Sequence, residues 1–164
     1  MSTQDSMLYV RTASGRYRPA DAPTILAVAD EVRPITIRGV QALVSPDTVK
    51  AFLKAQLKDR QYEAFCCIYL DNRHKVLGFQ ELFRGTIDGA SVHPREVVRE
   101  CIGRNAAAVI IAHNHPSAVA EPSQADELIT RRLVEALALV DIRVVDHLIV
   151  AGDDVLSFAE RGLI

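Results

Sequence analysis

"AAAVIIAHNHPSAVAEPSQAD", residues 106–126, is the stretch on which the fold turns. Residues 106–112 are continuously apolar, which reads as a short strand covered on both faces. Pro116 cannot continue a central strand and turns the chain. Ser123-Gln124-Ala125-Asp126 then opens a helix, with serine as cap and an acid in the first turn. Leu128, Ile129, Leu133, Val134 and Leu137 follow at core spacing up to about Val140. If the strand runs on into the motif, alternation puts His113 and His115 on one side and Asn114 on the other.

Working outward, the same rules give the neighbouring elements. Ser45 is a helix cap with Pro46 in the first turn, and Val49, Phe52, Leu53 and Leu57 lie on one face. "EAFCCIYLD", residues 63–71, reads as a central strand, Asp71-Asn72 as a turn, and "KVLGFQELFRG" as the returning strand. His93-Pro94 opens another helix with Val97, Val98, Cys101 and Ile102 inward, ending at Gly103. "IRVVDHLIV" and "VLSF" are strands separated by Gly152-Asp153-Asp154. The order predicts a mixed α/β fold from residue 45 onward, preceded by an irregular or strand-containing arm over residues 1–44.

Two imidazoles on one side of a strand end can chelate one ion, and Asp126 in the next helix start can add an oxygen. Two nitrogens and one carboxylate oxygen are the protein ligands of a catalytic zinc site, which keeps its fourth position for water. A separate base is then needed to move protons. Each half of the pattern has a plainer reading. S-x-x-D by itself is a helix cap, and two strand-end histidines by themselves are surface or hydrogen-bonded core residues. The conjunction of H-x-H, seven residues beginning with proline, and S-x-x-D points to metal. A zinc deaminase would need H-x-E followed by P-C-x-x-C, which is absent. The contiguous letters H-N-H do not make the ββα-metal nuclease of that name, whose residues are dispersed.

At 164 residues, 49% hydrophobic and 24% charged, the composition is that of a globular protein of one domain. Nineteen basic and twenty-one acidic side chains give a formal charge of -2, with no Lys/Arg run, so charge gives nucleic acid no support. No secretory leader or membrane-length apolar run is evident, and a cytoplasmic location without membrane partners is expected. Cys66, Cys67 and Cys101 are odd in number and lack C-x-x-C spacing, so they read as small buried residues.

A glutamate, then H-x-H-P, then S-x-x-D resembles the JAMM (MPN-plus) metalloprotease domains. "GTIDGASVHPREVVRECIGRNAAAVIIAHNHPSAVAEPSQAD" with "DIRVVDHLIV" and "LSFAERGLI" is similar to their RadC-like branch, over about residues 45–164. The resemblance implies a JAMM/MPN-like, deaminase-like three-layer architecture, a mixed sheet with flanking helices. It implies Zn2+ held by His113, His115 and Asp126, Ser123 hydrogen-bonding the substrate carbonyl oxygen or oxyanion, and Glu63 as general base, with Glu81 as its rival. The implied reaction is hydrolysis of a peptide or isopeptide bond by metal-activated water. Zinc is preferred over iron or manganese on ligand type.

His147, beside Asp146, reads as a satisfied structural histidine rather than a catalytic one, with orientation of a ligand as a further role it could take. Asn114 is expected to support the turn from behind. His74 and His93 read as turn and helix-start residues, and Arg84, Arg95 and Arg99 as solvated charges. Full-length members of the branch carry a helix-hairpin-helix region that an arm of about 44 residues is too short to contain, so a stand-alone catalytic-type domain is expected. Two other function classes remain: a DNA-repair-associated accessory protein of the RadC type, and a scaffold that holds the ion without catalysis. Substrate identity and oligomeric state are not written in the residues.

Overall fold

The computed structural model describes residues 9–11, 15–21, 45–85 and 92–164. Most of the expected N-terminal arm lies outside these residues. The chain divides into two compact units, Met1–Ile35 and Thr36–Ile164. In the first, β1 (Tyr9–Arg11) pairs antiparallel with β2 (Tyr17–Pro19).

In the second unit, α1 (Pro46–Leu57) begins at Ser45, whose side chain accepts from the Thr48 N–H. It is followed by β3 (Ala64–Leu70), β4 (Val76–Arg84), α2 (Pro94–Gly103), β5 (Ala108–Asn114), α3 (Gln124–Ala138), β6 (Arg143–Ala151) and β7 (Asp154–Ser157). The strands form one sheet in the order β4-β3-β5-β6-β7. β5 and β6 are parallel, joined through α3, and the other pairs are antiparallel. The mixed α/β expectation is correct.

Every residue of β3 and of β5 is buried, as their unbroken apolar runs require of strands covered on both faces. On one face Val49, Leu53 and Leu57 of α1 pack with Cys66, Ile68, Ile110, Ala112 and Leu148. On the other, Val97 and Cys101 of α2 and Leu133 and Leu137 of α3 pack with Phe65, Cys67, Val109 and Ile111. The result is helix, sheet, helices in three layers. Adjacent Cys66 and Cys67 belong to opposite faces, and burial is the main cause pushing the Cys66 thiol up to about 12. All three cysteines are free and buried.

Two helical stripes are narrower than their spacing predicts. Leu128 is 53% and Ile102 57% exposed, while Thr130 of α3 is buried in its place. Apolar spacing defines a stripe, but only the tilt of the helix on the sheet decides which edge of it reaches the core.

Two register shifts matter for the site. Between Phe65 and Cys66 the partner changes from Phe83 to Glu81, skipping Leu82. Between Val109 and Ile110 it changes from Val144 to Asp146, skipping Val145. Each is a bulge that reverses which face the following side chains take.

Candidate metal centre

His113 lies near the C-terminal end of β5, paired with Phe65 of β3 and Ile149 of β6. His115 falls just beyond the strand, but its N–H donates to the Val150 carbonyl at 2.9 Å, so the extended path continues. Alternation therefore holds through the motif, and the two imidazoles meet: His113 Nε2 and His115 Nε2 are 3.0 Å apart. Asn114 points the other way. Its Oδ1 accepts from the Ala64 N–H at 2.8 Å and its Nδ2 donates to the Tyr62 carbonyl at 3.0 Å. The residue between the histidines thus holds both sides of Glu63.

The Pro116–Pro122 turn carries the chain to α3. Ser123 caps the helix: its Oγ accepts from the Asp126 N–H at 3.1 Å, and Asp126 Oδ2 accepts from both the Ser123 N–H and the Ser123 hydroxyl at 2.7 Å. This capping box holds the Asp126 carboxylate with Oδ1 3.2 Å from His113 Nε2 and Oδ2 3.6 Å from His115 Nε2. The capping reading of S-x-x-D is met by the same carboxylate that faces both histidines.

One ligand atom each from His113, His115 and Asp126 lies within 4.8 Å of the others, and these three residues form a group able to hold a metal ion. The donor chemistry fits. His115 Nδ1 lies 2.8 Å from the Val119 carbonyl, which can only accept, so that nitrogen carries the proton and a neutral His115 presents its Nε2 lone pair to the site. A nitrogen lone pair facing a second imidazole and a carboxylate needs an acid there, either a proton or a cation. Two imidazole nitrogens and a carboxylate oxygen, with a position left for water, are the ligands of an open zinc site.

The electrostatics agree. Burial opposes ionisation of Asp126, but the neighbouring His113 and His115 imidazoles and the Ser123 hydroxyl outweigh it and hold the carboxyl well below the usual carboxylate range. The hydrogen bond to Asp126 raises the His115 pKa against the opposing effect of burial, with smaller contributions from the Val119 carbonyl and from the Asp126 and Glu63 charges. Burial is the main cause holding His147 well below its ordinary value.

Glu63 precedes β3 and is not among the three grouped residues. Continuing the antiparallel register from Phe65↔His113 sets it opposite His115, on the side that Phe65 and His113 share. Its carbonyl accepts from the Gly85 N–H at 2.7 Å, and its charge acts on His115. Glu81 is on the other face. The bulge aligns it with Cys66, where its carboxylate meets Tyr62 OH at 3.3 Å, Arg84 Nε at 3.5 Å and Arg60 Nη2 at 3.7 Å. Arg84, expected as a solvated charge, also donates to Tyr62 OH at 2.6 Å and lies over its ring.

A family model of RadC-like JAB domains matches residues 43–163. The chain belongs to the RadC-like JAB domain family. It is 68% identical over 123 residues to a UPF0758 protein of Thioalkalivibrio sulfidiphilus, covering 75% of this chain and 55% of that protein. It is 63% identical over 129 residues to one of Nitrosococcus oceani, covering 79% and 58%. With one of Vibrio parahaemolyticus it shares 50% over 150 residues, covering 92% and 67%. This RadC-like JAB domain chain therefore spans a little over half the length of the first two relatives. Among the described residues, no helix is long and apolar enough to cross a membrane.

Sequence reasoning singled out His147 but assigned nothing to Thr130, Val119 or Phe158, which surround the RadC-like site. Their signal is positional: Thr130 is one helical turn beyond Asp126, and Val119 lies in the turn between the ligands.

Proposed function

We propose that this RadC-like JAB domain is a zinc-dependent hydrolase of peptide or isopeptide bonds. The observation that carries the reading is the convergence of His113, His115 and Asp126 into one donor group, with Glu63 at its side but outside it. His113, His115 and Asp126 would hold Zn2+, and a bound zinc would supply the Lewis acidity for water activation and carbonyl polarisation. Glu63 takes the proton from the attacking water and returns it to the leaving amine, so no covalent enzyme intermediate is required. Ser123 turns its hydroxyl from Asp126 to the developing oxyanion of the substrate. The ligand set favours zinc over manganese, and free buried thiols suit a reducing compartment, which supports the cytoplasm.

The test combines metal analysis of purified protein with a panel of peptide and isopeptide substrates. Glu63→Gln is expected to retain zinc and lose turnover. Unchanged hydrolysis by that variant removes Glu63 from the mechanism, and a zinc-loaded wild type that cuts nothing in the panel overturns the hydrolase reading.

A further inference from the structure

We propose that His147 and Thr130 are positioning residues that fix which nitrogen of His113 faces the metal site. The proposal rests on the metal reading above and extends it to two residues that touch neither ion nor substrate.

The chain of hydrogen bonds is continuous and its direction follows from donor inventory. Thr130, in the fourth position after Asp126 on α3, donates its hydroxyl proton back to the Asp126 carbonyl at 2.5 Å. Its oxygen can then only accept, and His147 Nδ1 lies 2.6 Å away, so that nitrogen carries a proton. His147 Nε2 faces His113 Nδ1 at 2.9 Å, and one proton lies between them. Were it on His147, that ring would be an imidazolium with both N–H groups aimed at neutral acceptors. The ring is fully buried, stacked on Phe158 at 4.6 Å and edge-on to Phe65 at 6.0 Å. A charge unpaired in such walls is costly. The proton therefore belongs to His113 Nδ1, and the His113 Nε2 lone pair is left facing Asp126 and His115.

The opposite tautomer would direct an N–H at the cation, which cannot coordinate it. Asp126 enters twice, through its carboxylate at the site and through its main-chain carbonyl at the far end. The relay thus links α3, β6 and β5 into one ring around the centre. The bulge at Val145 is what brings His147, paired with Ile111, onto this face.

The test reads tautomer and affinity in the whole chain, with Zn2+ alone as probe. In metal-free protein at about pH 8, where free imidazole is neutral, imidazole 15N spectra are expected to show His113 and His147 both protonated on Nδ1. Thr130→Val, which keeps the shape and removes the hydroxyl, is expected to weaken Zn2+ binding about 10- to 100-fold. Thr130→Ser restores it. His147→Leu is expected to weaken binding likewise, while His147→Gln, which can place an acceptor near the same point, recovers most of it. Comparison of Thr130→Val with Thr130→Ser keeps the test valid if His147→Leu fails to fold. His113 protonated on Nε2, or Thr130→Val binding Zn2+ as wild type does, overturns the relay. Zinc bound with the expected tautomers but no hydrolysis overturns the hydrolase reading and leaves the relay standing.

Discussion

At the scale of the residue, the site depends on side chains that hold two positions at once. Asn114 separates the histidines by pointing away from them, and in doing so satisfies the buried Ala64 N–H beside Glu63. Asn114→Ala leaves that donor without a partner, so a loss of about 1–3 kcal/mol is expected in chemical denaturation. A loss within the scatter of repeated titrations would show that another group takes its place. Ser123 can be dissected in the same way. Ser123→Ala should cost about 1 kcal/mol as a lost cap and Ser123→Gly only a few tenths. If hydrolysis falls equally in both variants, the hydroxyl acts on substrate; if it tracks stability, Ser123 acts through the capping of Asp126. The side taken by His113 and His115 was legible from alternation alone, as was the opposite direction of Asn114; that Asn114 holds the entry to β3 rather than the turn after the histidines was not. The choice between Glu63 and Glu81 was not legible from spacing, because Glu63 precedes one apolar strand and Glu81 lies within the next, and spacing alone does not rank them. The bulge at Leu82 separates their faces, and nothing in the local letters announces it.

At the scale of the element, the strands and helices follow from apolar runs, caps and turn residues, and what escaped was the edge of each buried stripe. Leu128 and Leu133 both fit the helical spacing of α3, yet Leu133 is fully buried and Leu128 is 53% exposed. Leu133→Ala is therefore expected to lower stability by about 2–5 kcal/mol, whereas Leu128→Ala should stay within about 0.5 kcal/mol. Equal losses would mean that α3 is rotated from the orientation described. That orientation matters to function, because the same rotation that exposes Leu128 turns Thr130 inward to His147 and presents Asp126 to the histidines. Thr130, to which the apolar spacing assigned nothing, is the position from which the helix reaches His147.

At the scale of the whole molecule, the centre joins the C-terminal end of β5, the start of α3 and the entry to β3, so binding of a cation must couple to the stability of the fold. A ligand that binds only the folded state stabilises by about 2.7 kcal/mol at one hundred times its Kd. The sign of the pH dependence differs with and without metal. In the metal-free protein the folded pKa of His115 is raised, first by its hydrogen bond to Asp126. Its contribution to stability is thus fully present below the unfolded value of about 6.5 and is lost as pH rises through the higher folded value. Were Zn2+ bound at the proposed site, His115 would have to give up that proton, so affinity would climb over the same window. The two melting curves are expected to diverge as pH goes from about 6 to about 8, with the zinc-loaded protein gaining on the metal-free one. Calorimetry at a fixed excess of Zn2+ against chelator measures the gap. A gap that narrows toward alkaline pH would mean that Zn2+ binds elsewhere than at His115, while His115→Ala should flatten the dependence and leave the core of the sheet intact.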